Sequence, residues 1–277
     1  MRCGRRSRSV RSVTRQDQTL DAQPDDVAVV ERARVRAARG HDLANAERSA
    51  EALVELRSAV DLYRQLVAVG ADTVEPELAE TLNVQGMMLS DLGRPEEALA
   101  STDQAVEIYQ RLAETHSDVF EPALASALNA QAVMLSALCL DEEAVVAAGE
   151  AVDCYRRLAL TRPESFEPGL ASALNNFGVR LAGAGLQQEA MTVLDETIAV
   201  YRRLTAVHPK LFEPYLAQGL WAMAWTAARS GNRLQAGMAA GRESVALYEQ
   251  LAAVEPEIFA YDLDAARLVS AELAELV

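Results

Sequence analysis

The sequence predicts an all-α fold made of stacked helical hairpins. The tripeptide Phe-Glu-Pro recurs at residues 120–122, 166–168 and 212–214, always 46 residues apart, and a fixed period of this length is typical of repeat architectures. Half of the residues are hydrophobic but only 5% are aromatic, which suits closely packed helices better than a β-sandwich. Within each period, apolar residues recur at helical spacing in two stretches. Each unit is therefore predicted to be a helix–turn–helix.

The second unit illustrates how each helix is expected to begin and end. Pro76 stands where a helix can start, and Gly93 stands where that helix can end. Pro95 then opens the second helix, and the carboxylates of Glu96 and Glu97 suit the positive end of its dipole. We expect the first helix of every unit to begin at the equivalent proline.

Residues that keep the 46-residue register define the number of hairpins. The small residues are Gly40, Gly86, Ala132, Gly178 and Ala224 in the first helices, and Ala52, Ala98, Ala144, Ala190 and Ala236 in the second. Tyr63, Tyr109, Tyr155 and Tyr201 share the register and are predicted to pack in the core. We expect five hairpins at about 26–72, 73–118, 119–164, 165–210 and 211–257, followed by a capping helix over 258–277.

The first 25 residues form a separate, basic segment. Residues 1–20 hold six arginines against Asp17, a balance of +5, whereas the whole chain carries −15. The remainder therefore carries −20 and should repel phosphate backbones, so we expect no nucleic-acid binding by the repeats. Residues 1–25 lack apolar periodicity and are expected to be a disordered tail.

Catalytic, cofactor and metal motifs are missing from the sequence. No Gly-x4-Gly-Lys-Ser/Thr string occurs, and Cys3, Cys139 and Cys154 have no metal-ligand spacing. His116 and His208 lie near the ends of second helices, where a histidine more often serves the helix terminus than catalysis. We therefore expect no enzyme, no cofactor and no metal. The odd cysteine count and the lack of any long apolar window predict a cytoplasmic protein that does not enter a membrane.

The pattern Leu174-x2-Phe177-Gly178-x2-Leu181, followed by Gly185, Ala190 and Thr197, resembles the tetratricopeptide repeat family. The resemblance covers about residues 26–277, although the usual unit is only about 34 residues long. The longer units resemble the kinesin light chain type and the repeat arrays of actinobacterial regulators. This resemblance implies a right-handed α-solenoid in which the first helix of each unit lines the concave surface.

Given that orientation, one position per repeat should face the groove. These ladder positions, three residues before each small residue, hold Ala37, Asn83, Asn129, Asn175 and Trp221. An Asn amide can pair with both the N–H and the C=O of an extended peptide. Asn176 adjoins the ladder, and Trp225 lies one helical turn beyond Trp221. Two alternatives remain open: the Asn residues could brace neighbouring helices instead, and the capping helix could cover both indoles.

Two functions fit these observations. The first is a non-enzymatic adaptor that binds a protein or extended peptide through Asn83, Asn129, Asn175, Asn176, Trp221 and Trp225. The alternative is a fragment or split partner of a larger signalling protein, such as a STAND-type NTPase or a transcriptional regulator, whose effector domain lies elsewhere.

Overall fold

The computed structural model describes residues 24–276, which form eleven α-helices and one 3₁₀ helix and contain no strand. The α-helices are α1 (Pro24–Asn45), α2 (Ser49–Ala68), α3 (Glu75–Asp91), α4 (Pro95–Thr115), α5 (Ser117–Ala137), α6 (Asp141–Thr161), α7 (Pro163–Gly183), α8 (Gln187–Val207), α9 (Pro209–Ser230), α10 (Leu234–Val254) and α11 (Pro256–Glu275), with the 3₁₀ helix at Asp72–Val74. Each helix packs chiefly against the helices before and after it in the chain. The predicted all-α solenoid of five hairpins and a capping helix is confirmed.

The turns within the hairpins require backbone in the left-handed region. Gly93, Cys139 and Gly185 have φ of 69°, 59° and 80° and lie 46 residues apart. Glycine enters this region freely, whereas a residue with a Cβ pays roughly 1–2 kcal/mol. Cys139 therefore occupies a left-handed turn position that is glycine in the neighbouring repeats, at Gly93 and Gly185.

The predicted start of the later first helices is wrong by more than one turn. Helices α5, α7 and α9 enclose Pro122, Pro168 and Pro214 instead of beginning at them. One non-helical residue joins α4 to α5: His116, with φ −141° and ψ 64°. Each helix begins directly after such a junction. The proline then falls in the second turn, where its missing N–H removes a single helical hydrogen bond.

The core lies between the two helices of each hairpin and between successive hairpins. Leu82, Leu128, Leu174 and Leu220 are at most 2% exposed, and burying such a side chain contributes roughly 1.5–3 kcal/mol. The small residues permit this packing, since a Cβ on Gly86 would lie 2.6 Å from Thr102 Cγ2.

The last hairpin carries an insertion in its turn. Helix α10 begins at Leu234, 47 residues after α8 begins at Gln187. The residue equivalent to buried Ala190 is therefore Gly237, where a Cβ would lie 2.3 Å from Ala227 Cβ. The expectation that Ala236 fills this position is wrong, because the sequence register gave no sign that the extra residue precedes the helix.

Helix α11 differs from the other first helices on its outer face. Ala266, Val269 and Leu273 are buried, but the position of core residue Leu220 is taken by Arg267, which pairs with Glu249 at 2.8 Å. A charged group here gives the array the polar outer face that a capping helix needs. The tail predicted for residues 1–25 lies outside the described residues except for Pro24 and Asp25, which begin α1.

Candidate functional site

The first helices line one side of the array and the second helices the other. Among residues 24–276, the first helices of successive hairpins pack directly on one another, from α1 against α3 to α9 against α11, and no pair of second helices packs comparably. A stack whose elements are closer on one side curves toward that side. The surface formed by α1, α3, α5, α7, α9 and α11 is therefore the concave one.

An open groove runs between α3 and α5 on this concave surface. Its wider part has a volume of about 530 Å³ and includes Glu80, Asn83 and Met87 on α3 and Phe120 and Ser126 on α5. A second part of about 320 Å³ continues from Met87 and Ser126 and is lined by Ser90, Asp91, Asn129, Ala130, Val133 and Met134. These two connected parts form the α3/α5 groove.

Apolar and polar groups alternate along the α3/α5 groove. Met87 is 46% exposed and Val119 is 57% exposed, although both are large hydrophobic side chains. Glu80 and Asp91 are also exposed. Neither carboxylate forms an ion pair with another described residue. Asp91 accepts one hydrogen bond, from Ser49 Oγ at 3.2 Å. The groove can therefore offer apolar contacts together with acceptors for a cationic or N–H donor.

Asn83 and Asn129 both line the α3/α5 groove and are half-buried. The Oδ1 atom of Asn83 is inaccessible to solvent and has no hydrogen-bond partner among the described residues. Asn129 Oδ1 accepts a hydrogen bond from Asn176 Nδ2 at 3.0 Å, which joins α5 to α7. Asn129 therefore takes part both in the groove and in a link between first helices.

Asn175 lies in a different environment from the other two asparagines of the ladder. Only 6% of its surface is exposed. Its Oδ1 lies so close to Gly219 on α9 that a Cβ added to that glycine would be 3.9 Å away. That oxygen has no partner within the described part of the chain. In this conformation Asn175 offers almost no surface to a ligand.

Trp221 and Trp225 form a stacked pair on α9. Their ring centroids are 6.3 Å apart with an interplanar angle of 23°, and both side chains are half-buried. Trp221 packs toward α10 and α11, and Trp225 packs toward α7 and α8. The guanidinium of Arg229 lies 5.2 Å from the Trp225 ring. The pair thus bridges neighbouring helices and leaves part of each ring accessible, and its role in binding stays a prediction.

An apolar row that was not predicted from the sequence lies one helical turn beyond the ladder. This row consists of Met87, Val133, Val179 and Trp225, at 46-residue spacing. The signal was present in the repeat register, because a residue four positions after a ladder position must lie on the same helix face. Among the large hydrophobic side chains that line the α3/α5 groove, Val119 and Met87 are the most exposed.

Tyr63, Tyr109 and Tyr201 of the predicted tyrosine ladder lie in the core, whereas Tyr155 is half-buried against it. Tyr63, Tyr109, Tyr201 and Tyr248 are at most 5% exposed, and burial raises the pKa of Tyr63 to about 12. Burial likewise raises the pKa of Tyr109. These hydroxyls stay neutral at physiological pH.

Within residues 24–276, no group of three or more His, Cys, Asp or Glu side chains is arranged to hold a metal ion. None of the helices in this range combines the length and apolarity that crossing a membrane requires.

Comparison with known protein families gives a match to two of the five hairpins. The tetratricopeptide repeat family model matches residues 78–118 and 170–209, which correspond closely to the hairpins α3–α4 and α7–α8. No curated protein matches the chain in sequence.

Solved structures share the fold at low sequence identity. The kinesin light chain-type TPR-like repeats of Podosopora anserina are 17% identical, with a TM-score of 0.56 over 80% of this chain and 97% of that one. BtubC from P. vanneervenii is 17% identical, with a TM-score of 0.55 over 83% and 93%. Aspartyl phosphate phosphatase F from Bacillus subtilis is 16% identical, with a TM-score of 0.63 over 91% of this chain but 60% of that one. At this identity the likeness concerns the fold.

Proposed function

We propose that this chain, in which two hairpins match the tetratricopeptide repeat model, is a non-enzymatic adaptor that binds an extended segment of another protein in the α3/α5 groove. The observation that carries the proposal is this open, partly apolar groove on the concave surface, with Met87 and Val119 exposed along it. A binding site normally combines a few apolar anchors with convergent polar groups.

The polar groups of the groove suit a peptide backbone with a basic side chain. Asn83 supplies an amide whose oxygen has no internal partner and is closed to solvent in this structure. A ligand N–H would therefore relieve the cost of leaving that acceptor unpaired once the amide turns toward the groove. The unpaired carboxylates of Glu80 and Asp91 favour a ligand with positive charge. The six residues predicted from sequence then divide. Asn83 and Asn129 contact the ligand, and Asn176 holds Asn129 through its hydrogen bond. Asn175, Trp221 and Trp225 lie outside the groove and pack between the helices of the C-terminal half.

A display library of extended peptides tests the proposal without knowledge of the natural partner. Peptides selected on the wild-type chain should lose at least tenfold in affinity when Met87 is replaced by Glu, because the substitution removes an exposed apolar contact and sets a carboxylate that needs hydration against the apolar group of the ligand. A matched control is Val54→Glu, since Val54 is 66% exposed on α2, on the opposite surface. Equal loss with both variants, or none with Met87→Glu, would place the binding surface elsewhere.

The alternative, a repeat portion of a larger regulatory protein, predicts a different outcome. The selected sequences would then converge on a segment that belongs to an effector domain, and adding that domain would compete with the peptides for the α3/α5 groove.

A further inference from the structure

Arginine residues join successive second helices along the convex surface. At three of the four interfaces between second helices, a guanidinium reaches from one helix to a carboxylate on the next, at 2.6–2.9 Å. The pairs are Arg57–Glu97 between α2 and α4, Arg156–Glu196 between α6 and α8, and Arg202–Glu243 between α8 and α10. Arg57 occupies one position of the repeat, and Arg156 and Arg202 occupy another position, seven residues later in the unit.

The interface between α4 and α6 breaks this pattern. The equivalents of Arg57 and Arg156 on α4 are Asp103 and Gln110, so both arginine positions have lost their cation. The facing carboxylates remain, because Glu143 and Glu150 on α6 are the equivalents of Glu97 and Glu196. No ion pair joins α4 to α6 in the part of the chain that the structure describes.

An open groove of about 640 Å³ lies at this same interface. Carboxylates of Asp103, Glu142, Glu143 and Glu150 surround it, and Leu135, Val146 and Ala147 add an apolar floor. Val146 is 61% exposed. Asp103 accepts a hydrogen bond from Gln131 Nε2 at 2.7 Å, which leaves its other oxygen free for a donor. The groove therefore suits a segment that brings guanidinium groups together with aliphatic stems.

We propose that residues 1–23 of this same chain dock in this convex groove, with arginines taking the places that Arg57 and Arg156 fill at other interfaces. Two independent observations lead to this occupant. The repeat itself shows that carboxylates at these positions accept a guanidinium from a neighbouring segment. The chain also carries six arginines before Pro24, namely Arg2, Arg5, Arg6, Arg8, Arg11 and Arg15.

The segment is long enough to reach the groove. Helix α1 begins at the end of the array where α4 and α6 end, because successive helices are antiparallel. Asp103 lies about 18 Å from that end at 1.5 Å per residue, and the two or three helix spacings between α1 and the groove add roughly 30 Å. An extended chain spans about 3.4 Å per residue. Arg6 and Arg8, which precede Pro24 by 18 and 16 residues, can therefore reach it.

Peptide binding to the full chain tests the proposal. The probe is a fluorescent synthetic peptide of residues 1–23, and the target is the full chain with its six N-terminal arginines replaced by Gln, so that its own segment does not compete. Anisotropy should show saturable binding that weakens as salt is raised. The additional changes Asp103→Arg and Gln110→Arg should reduce affinity at least tenfold, because they restore the cations within the scaffold.

A charge-matched control separates this site from general attraction to an acidic protein. Glu272→Arg with Gln250→Arg changes the net charge by the same amount on exposed positions of α11 and α10, and it should leave peptide affinity within twofold. Equal weakening by both double variants would overturn the proposal, since binding would then follow net charge alone.

The wild-type chain provides its own reporter of docking within one molecule. Cys139 is exposed at the turn before α6, and Cys3 belongs to the docking segment. A short bismaleimide should link Cys3 to Cys139 in monomers at low protein concentration, and Asp103→Arg with Gln110→Arg should suppress the link. Cross-links found only between two molecules would overturn docking within the chain and assign the groove to the segment of a second copy.

Discussion

The two halves of the concave surface use the same repeat position in opposite ways. Between α3 and α5 the surface is open, and Asn83 and Met87 face a groove. On α7 and α9 it is filled, with Asn175 buried and Trp221 stacked on Trp225. The residue on the next first helix helps to explain the difference. Gly219 on α9 lies next to Asn175 and leaves room for its side chain, whereas the equivalent residues Ala127 and Ala173 each carry a methyl group. A repeated residue therefore does not imply a repeated role.

The sharpest test of this difference is to place a charge at two ladder positions. Asn175→Asp should lower the free energy of unfolding by about 3 kcal/mol at neutral pH, because it buries a carboxylate without a cation. Asn83→Asp should cost less than about 1 kcal/mol, since its side chain is half-buried beside a groove. Urea denaturation of both variants measures the contrast.

The pH dependence of Asn175→Asp provides a check. Burial should raise the pKa of the new carboxyl above its unfolded value. The destabilisation should therefore be largest above that raised pKa and should diminish as the pH falls through it, since the neutral acid is tolerated. A pH-independent loss would mean that the site admits water.

The stability lost when a large side chain is truncated to alanine measures how many apolar contacts it makes in each half. Trp221→Ala should cost about 2–3 kcal/mol of stability, because the ring packs against α10 and α11. Met87→Ala should cost less than about 1 kcal/mol, since nearly half of that side chain is exposed. Thermal unfolding of the single variants would show equal losses if the C-terminal half were as open as the groove.

The hydrogen bond between the halves can be measured by a double-mutant cycle. Asn129→Ala and Asn176→Ala should each destabilise the chain, and their coupling should be about 1 kcal/mol, the net value of one hydrogen bond. Additive effects would show that the 3.0 Å contact contributes nothing in solution.

The smallest expected effect separates binding from folding. Asn83→Ala should change stability by less than about 0.5 kcal/mol, yet it should weaken a peptide bound in the α3/α5 groove by roughly 1 kcal/mol. Titration of a selected peptide measures this, and Asn175→Ala is the matched control because Asn175 is buried. A larger effect of Asn175→Ala on affinity would contradict the division between the two halves.

The fold could be predicted from the sequence because the residues that form each contact recur at equivalent positions of several repeats. The register of Leu82, Leu128 and Leu174 and of the turn residues Gly93 and Gly185 sufficed to place the hairpins. Helix starts were harder, because a proline in a second turn is tolerated and resembles a first-turn signal.

The site was less predictable than the fold for a physical reason. Exposure of an asparagine depends on the neighbouring helix, and Gly219, which lies beside Asn175, is 44 residues away from it in sequence. Met87 was overlooked because an isolated methionine at helical spacing normally belongs to a core.

The distance between successive first helices determines the spacing, in residues, at which a bound segment can contact neighbouring repeats. Packed helices lie about 8–10 Å apart, and each repeat offers one ladder position to the concave surface. Three residues of an extended strand, at about 3.3 Å each, cover the same distance. A polyproline II segment, with three residues per turn, covers about 9 Å and also returns the same face. A ligand that spans neighbouring repeats would therefore carry its specificity at every third residue, and scrambling that triplet phase would abolish recognition even with composition unchanged.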